Sequence, residues 1–236
     1  MKSKTSKIFL TARWENLILI SYKVSPEALA PYIPPHCEPD TIDGSAFVSL
    51  VPFDFNEIRV KSFRIPFHTN FPEINLRFYV RNNGRRGVVF IREFVPNRLV
   101  PFVANFVYNE NYSKLKMRTS YLESDGEIKV MHNVKCRKSD EHISITAQNK
   151  PFIPPESSVE RFFKEHKWGF GKSKKGGLLT YRVDHPVWAV YPVIDYAIGI
   201  DFGLLYGKNW EFLNNEKPFS IIFTKGSEVK IYSPEV

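Results

Sequence analysis

Cysteine is nearly absent from this sequence: its 236 residues include only Cys37 and Cys136, and the two do not form a Cys-x-x-Cys pair. Structural zinc sites usually draw on closely spaced cysteines and histidines. His132, His142 and His166 do not have such a spacing either. We therefore predict no metal ion, and the sequence indicates no other cofactor.

Long hydrophobic runs are absent as well. No stretch approaches the roughly 18 apolar residues that a membrane-spanning helix requires. The lysine-rich start, 1–7, is followed by only three apolar residues, Ile8–Leu10, which is too short for the core of a signal peptide. We therefore expect a cytoplasmic protein with reduced thiols and no membrane span.

The chain also lacks internal repeats and long low-complexity linkers. Apolar residues make up 43% and charged residues 25% of the sequence, which is enough for one sizeable core and too apolar for a disordered chain. Aromatic residues reach 15%, and such residues fill cores or line ligand cavities. We predict a single domain over residues 1–236.

Basic residues outnumber acidic ones, and the formal net charge is +8. The densest basic runs, 2–7, 81–86 and 172–175, contain the Gly, Ser or Asn that is typical of loops and termini. Solvated loops therefore explain this charge better than a nucleic-acid surface does, and we expect no specific nucleic-acid partner. A basic surface that binds nucleic acid or membrane is kept as an alternative function. The pattern does not predict the oligomeric state.

Hairpins dominate the predicted secondary structure. Ile74 to Asn82 alternates between two faces, Asn83–Gly84 is a turn signal, and Gly87 to Phe94 returns as a strand. One face of the first strand is apolar, and the other carries Glu73, Asn75, Arg77, Tyr79 and Arg81.

Three further segments, Lys114–Glu123, Glu127–Lys138 and Glu141–Gln148, predict an antiparallel meander with a turn at Asp125–Gly126. Outside these hairpins, shorter strands are predicted at Ile8–Thr11, Leu17–Val24, Ala46–Phe55, Leu178–Val183, Ser220–Thr224 and Glu228–Tyr232, with a basic loop at Gly169–Gly177.

Helices are few in this pattern. Ser25 and Pro26 are suited to the cap and first position of one helix, Ser157 or Ser158 caps another that ends near Glu165, and 97–109 has helical apolar spacing. The strand–helix alternation of a parallel sheet does not occur. The predicted fold class is α+β and β-rich: an antiparallel barrel or cone-like sheet with a few peripheral helices.

Three segments resemble a known family. Trp14 to Asp54 contains Val24-Ser25-Pro26-Glu27-Ala28-Leu29 and Asp43-Gly44-Ser45-Ala46-Phe47. The second segment is Phe71-Pro72-Glu73-Ile74-Asn75-Leu76-Arg77-Phe78-Tyr79-Val80. The third includes Val159-Glu160-Arg161-Phe162-Phe163 and His185-Pro186-Val187-Trp188. Together they are similar to the YqjF-like domain of unknown function, in the acetoacetate decarboxylase-like superfamily. The resemblance implies a barrel-like or cone-like fold with an internal cavity and no assigned activity.

The resemblance to the acetoacetate decarboxylase-like superfamily also implies a possible role for a lysine that forms a Schiff base. Acetoacetate decarboxylase forms a Schiff base between a lysine and a β-keto acid, which requires a lysine whose pKa is lowered. Lys114 and Lys116 share a face of a predicted strand, so they are the candidate nucleophiles; Glu73 is the candidate proton carrier and Arg77 the candidate carboxylate clamp. The adjacent-lysine motif of the decarboxylase is absent, and a solvated sheet face is the alternative explanation for Lys114 and Lys116.

The candidate ligand-binding residues are Arg77, Asn75, Tyr79, His185 and Trp188. Glu73, Asn75 and Arg77 either line a cavity or satisfy one another as a structural polar network. His185 and Trp188 either line the mouth of a pocket or have a structural role in the core. The leading functional prediction is a protein that binds a small anionic or partly apolar molecule, and a Schiff-base lyase is the alternative.

Overall fold

A computed structural model of the chain describes residues 7–61, 63–64, 70–96, 111–136 and 140–235. The strands are β1 Ile8–Val24, β2 Glu38–Pro39, β3 Ala46–Val60, β4 Phe63–Arg64, β5 Phe71–Asn82, β6 Arg85–Val95, β7 Tyr112–Lys114, β8 Lys116–Ser124, β9 Glu127–Lys135, β10 Asp140–Gln148, β11 Trp168–Lys172, β12 Leu178–Asp184, β13 Val193–Gly199 and β14 Ser220–Tyr232. The α-helices are α1 Pro26–Leu29, α2 Val159–Lys164 and α3 Phe202–Tyr206, with 3₁₀ helices at Ala30–Tyr32 and Lys208–Asn215.

The larger sheet closes on itself. Its strand order is β2-β5-β3-β1-β14-β12-β11-β6-β7, and β5 also pairs with β6. Seven strands, β5-β3-β1-β14-β12-β11-β6, therefore form a ring. This closure confirms the predicted β-rich, barrel-like fold, although two strand pairs, β11 with β6 and β6 with β7, are parallel rather than antiparallel.

The predicted hairpins are confirmed, because their turn residues adopt the backbone that the turns require. Asn83–Gly84 joins β5 to β6 with φ values of 49° and 75°, and Asp125–Gly126 joins β8 to β9 with 51° and 76°. Positive φ at both central residues is the signature of the two-residue turn that matches strand twist. The meander β8-β9-β10 then gains β13 as a fourth strand to form the second sheet.

The barrel strands bury both faces. In β1, Leu17 and Leu19 belong to a core inside the barrel, whereas Ile18 and Ile20 belong to a core outside it. The outer core also contains apolar residues of β9, β10 and α3, so the second sheet and this helix cover one side of the barrel. The inner core contains Phe163 of α2. Because both faces of these strands are buried, apolar residues alone do not reveal which face is inside.

Two predicted strand breaks are wrong. β1 is continuous from Ile8 to Val24; Asn16, with φ 55°, lies where the pairing of β1 with β3 shifts register. β14 is continuous through Gly226, whose φ is 81°. A Cβ at Gly226 would lie 1.9 Å from the carbonyl oxygen of Trp14. Glycine therefore lets two strands stay paired where a side chain would separate them.

The predicted loop Gly169–Gly177 is wrong in its first part, because 169–172 belong to strand β11. Gly169 is paired with Tyr181 of β12, and the tyrosine ring lies where a Cβ of residue 169 would be. Gly169, one of the glycines that suggested a loop, thus permits close strand packing, and only 173–177 form the turn to β12.

The short helices partly follow their predicted caps. Ser158 Oγ accepts a hydrogen bond from the Arg161 amide at the start of α2, so this cap is confirmed. Pro26 is the first residue of α1, but the Ser25 side chain makes no capping hydrogen bond, and α1 is only one turn long. The helix predicted over 97–109 lies outside the described residues. No helix in the described ranges is long and apolar enough to cross a membrane.

Candidate ligand-binding cavity

The ring of strands encloses a cavity of about 150 Å³. Side chains of the inner core form most of its wall, and the 164–188 segment contributes Lys164, His166, His185 and Trp188. The cavity is therefore mainly apolar, with a small number of polar groups, which is the usual character of a small-molecule site.

The polar face of β5 points into this cavity. Glu73, Asn75 and Arg77 all contribute to its lining, and Glu73 and Asn75 are each 2% exposed. Asn75 Nδ2 donates to Glu73 Oε1 at 3.2 Å, and the Tyr112 hydroxyl donates to Glu73 Oε2 at 3.3 Å. Glu73 and Asn75 thus line the cavity and also hydrogen bond to each other, whereas Arg77 lines the cavity without a hydrogen bond to either of them.

Arg77 has unused hydrogen-bonding capacity. Its Nη2 donates to the Phe163 carbonyl at 3.2 Å, and its Nε is buried without a hydrogen-bond partner. No carboxylate of the described residues lies within 4 Å of this guanidinium. Arg77 therefore brings to the cavity wall a positive charge without an ion pair among the described residues, in the same wall as the carboxylates of Glu73 and Glu93.

Tyr79 lies behind the cavity lining. It is 1% exposed, and its hydroxyl is 2.5 Å from Ser49 Oγ, which in turn is 2.6 Å from Ser21 Oγ. The centre of its ring is 4.9 Å from that of His166 and 5.3 Å from that of Phe163. Tyr79 therefore packs against residues of the cavity wall, whereas the sequence analysis predicted that it contacts the ligand directly.

His185 and Trp188 are stacked on one another, with ring centroids 4.0 Å apart and an interplanar angle of 15°. Trp188 Nε1 donates to Ser227 Oγ at 2.8 Å, which fixes the indole against β14. Both rings contribute to the cavity wall. Burial lowers the pKa of His185.

Lys114 and Lys116 lie outside the cavity wall and are exposed. Lys116 begins β8, where it is paired with Lys135 on the solvent-facing side of the second sheet. The structure therefore does not bring these lysines together with Glu73 and Arg77. The physical reason is that the chain leaves the barrel after β7, whose Tyr112 is the residue that reaches the cavity.

Lys164 lines the cavity instead, and the sequence analysis did not select it. Its side chain is fully buried and forms an ion pair with the Glu165 carboxylate. Burial lowers the pKa of Lys164, and the pairing with Glu165 opposes this shift. The available signal was the position of this lysine at the end of the amphipathic segment 159–164, directly after two phenylalanines.

His166 was also missed. It is buried against the rings of Tyr79 and Phe162, and neither ring nitrogen makes a hydrogen bond of normal geometry, although the Phe163 carbonyl is close enough to influence its titration. Burial, followed by the charges of Arg77 and Arg86, lowers its pKa well below the ordinary value. His166 is therefore neutral at neutral pH and offers one N–H donor and one acceptor.

An aromatic cluster forms the end of the cavity opposite Arg77. Trp14 is 5.5 Å from Phe53 and 5.7 Å from Phe55, and Phe55 is 5.6 Å from Phe71, measured between ring centroids. All four rings contribute to the cavity wall. We call these four residues the aromatic end.

A metal site would need several convergent ligands. Within the described ranges, no group of three His, Cys, Asp or Glu residues is arranged to hold a metal ion. The absence of a metal therefore stays a prediction for the chain as a whole.

The closed barrel corresponds to a known architecture. The acetoacetate decarboxylase of Legionella pneumophila matches with a TM-score of 0.65 and 12% identity, covering 100% of this chain and 92% of that one. An acetoacetate decarboxylase-like enzyme of Sphingomonas wittichii RW1 matches with a TM-score of 0.64 and 9% identity, covering 96% and 92%. The enduracididine biosynthesis enzyme MppR, in complex with pyruvate, matches with a TM-score of 0.62 and 11% identity, covering 98% and 91%. The protein thus has the acetoacetate decarboxylase-like fold.

Sequence comparison narrows this class to one family. Residues 11–230 match the DUF2071 family, described as an uncharacterized conserved protein, and the chain belongs to that family. The uncharacterized protein YqjF of Bacillus subtilis (strain 168) is 28% identical over 143 residues, which are 60% of this chain and 57% of YqjF. The aligned region therefore spans little more than half of that relative.

Proposed function

We propose that the protein binds a small carboxylate in the barrel cavity. The observation that carries this proposal is the presence of Arg77 and His166 in one mainly apolar cavity wall, each with buried polar atoms that have no hydrogen-bond partner. A buried polar group without a partner is costly, so a ligand that supplies the partner gains binding free energy.

A carboxylate suits these groups chemically. Arginine presents N–H donors in a planar fork that matches a carboxylate, and a neutral histidine adds one further donor. The charge of Lys164 is already balanced by Glu165, so Arg77 is left to bind the anion. Pyruvate, the molecule bound in the similar MppR structure, has the required carboxylate and is small enough to serve as a probe.

Calorimetric titration with pyruvate and acetate tests the proposal. We expect Arg77→Gln to weaken binding by about 10- to 100-fold, because a hydrogen bond to a charged group contributes about 1.5–3 kcal/mol. Arg118→Gln is the matched control, since Arg118 is exposed and outside the cavity wall. Equal affinities in the wild type and Arg77→Gln would show that the anion does not bind at this site.

A second candidate function is a Schiff-base lyase, with Lys164 in place of Lys114 or Lys116. The observation that favours it is a fully buried lysine in the cavity wall with a lowered pKa. The neutral amine would attack the carbonyl carbon of a β-keto acid, and loss of water would form an imine. The carboxylate would then leave as carbon dioxide, its bonding electrons passing to the imine to form an enamine. Protonation of the enamine and hydrolysis would release the ketone and restore the lysine.

Borohydride reduction in the presence of acetoacetate or pyruvate would trap such an imine as a stable adduct, which peptide mass spectrometry can locate. For the lyase we expect the adduct on Lys164 and its loss in Lys164→Arg. An adduct on Lys114 or Lys116 would restore the original sequence-based assignment. An unmodified chain would remove the lyase and leave carboxylate binding to be judged by calorimetry.

A further inference from the structure

The cavity is divided into two chemically different ends along β5. Alternate residues of a strand share one face, so Phe71, Glu73, Asn75 and Arg77 follow one another along the inside of the barrel. Phe71 is paired with Phe55 of β3, and Phe55 with Trp14 of β1, so three aromatic residues lie side by side at the start of β5.

The other end carries the polar groups. Arg77 donates to the Phe163 carbonyl, and His166 packs on Tyr79, the next inward residue of β5. Glu73 borders the aromatic end, because it is paired across the strands with Phe53. Arg77 is thus four residues from the Glu73–Phe53 row, or about 13 Å of strand.

We propose that the ligand is a carboxylate joined by a short alkyl chain to one apolar group of about the size of a benzene ring. This inference rests on the proposed carboxylate binding and adds the nature of the rest of the ligand. The carboxylate contacts Arg77 and His166, and the apolar group packs against the aromatic end.

Two observations set the size of the apolar group. A cavity of about 150 Å³ is comparable to an apolar protein cavity that binds benzene, so it admits one ring and not a fused system. The four rings of the aromatic end pack edge-on or tilted against one another, which leaves apolar ring surface available to a further ring. Because the two ends are separated along β5, a carboxylate attached directly to the ring would not reach both.

The test is a calorimetric series of acetate, benzoate, phenylacetate and 3-phenylpropionate, with 3-phenylpropionamide as the uncharged analogue. We expect 3-phenylpropionate to bind at least about tenfold more tightly than acetate, because its ring leaves water for an apolar wall. Benzoate is expected to gain less, since it has no spacer.

A variant that fills the aromatic end provides an independent check. Val60 lines the cavity and is only half-buried, so Val60→Phe adds a ring there without overfilling a closed core. We expect this variant to lose the advantage of 3-phenylpropionate while keeping the affinity for acetate. Ile194→Phe is the control, because Ile194 is 51% exposed on β13 and outside the cavity wall.

The outcomes separate this inference from the proposed function. If acetate and 3-phenylpropionate bind equally, or if Val60→Phe leaves the series unchanged, the apolar subsite is refuted and carboxylate binding stands. If the amide binds as tightly as the acid, the carboxylate contact fails and the apolar subsite stands. If no member of the series binds, both are refuted.

Discussion

Gly169 provides a direct test of how closely β11 and β12 pack beside the cavity. A Cβ at this position would lie 2.1 Å from Tyr181 Cζ and 2.5 Å from both Cε1 and the hydroxyl oxygen. Ordinary contacts begin near 3.4 Å, so Gly169→Ala forces the ring to move by more than 1 Å. Overpacking of this kind costs about 1–3 kcal/mol of unfolding free energy.

Gly171 is the matched control in the same strand. A Cβ there would meet no atom within 4 Å, so Gly171→Ala is free of collisions and restricts the unfolded chain. That restriction stabilises a protein by about 0.4–1 kcal/mol. The two variants should therefore differ by about 1.4–4 kcal/mol, or on the order of 3–16 °C in melting temperature for a chain of this size.

Thermal and urea unfolding monitored by tryptophan fluorescence measure this difference. Both Gly169 and Tyr181 contribute to the cavity wall, so Gly169→Ala should also weaken carboxylate binding, whereas Gly171→Ala should leave it unchanged. Equal stability of the two variants would refute the packing argument, because it would mean that the Tyr181 ring has room to move.

Two further variants test other parts of the structure. Burial lowers the pKa of His166, so the unfolded chain takes up a proton near pH 6.5 that the folded protein resists. The contribution of neutral His166 to the free energy of unfolding is therefore complete above that pH. Below it, this contribution declines by up to about 1.4 kcal/mol per pH unit. His166→Phe should make this decline less steep between pH 6.5 and 5.5 in urea unfolding, without removing it, because burial also lowers the pKa of His132 and His185. The exposed control His142→Phe should retain the full slope, and an unchanged slope in His166→Phe would contradict the assignment. Gly226→Ala would place a side chain at a φ of 81°, with its Cβ 1.9 Å from the Trp14 carbonyl oxygen. We therefore expect the free energy of unfolding to fall by about 2–4 kcal/mol. Melting at the wild-type temperature would show that β1 and β14 need no glycine there.

Local features of this protein could be predicted from the sequence because their causes are local. Asn83–Gly84 and Asp125–Gly126 favour positive φ values wherever they occur, and the alternation on both sides then specifies hairpins. Ser158 caps α2 through an atom three residues away in the chain. The same local logic failed at Gly169 and Gly226, because a glycine that permits close strand packing has the same sequence signal as a glycine in a loop.

Which residues form the candidate site depends on contacts between segments that are distant in the sequence. Alternation along β5 separates Glu73, Asn75 and Arg77 from the apolar face, and this separation follows from the sequence alone. A period of two does not say which face is inside, because both faces of this strand are buried, one against the outer core and one in the cavity.

The choice of lysine illustrates the same limit. Lys114 and Lys116 have the alternating pattern of a strand, and the sequence correctly indicated β structure around them. Only the tertiary structure decided that Lys114 ends β7 and Lys116 begins β8 of the second sheet, both outside the cavity wall. By contrast, α2 delivers Lys164 and the residue two further on, His166, to that wall. The sequence by itself determined the hairpins, the turns and the polar stripe of β5, since these depend on neighbours in the chain. Closure of the ring, in which β5 pairs with β6 on one side and with β3 on the other, decided which side chains line the same cavity. The resulting burial lowers the pKa values of Lys164 and His166.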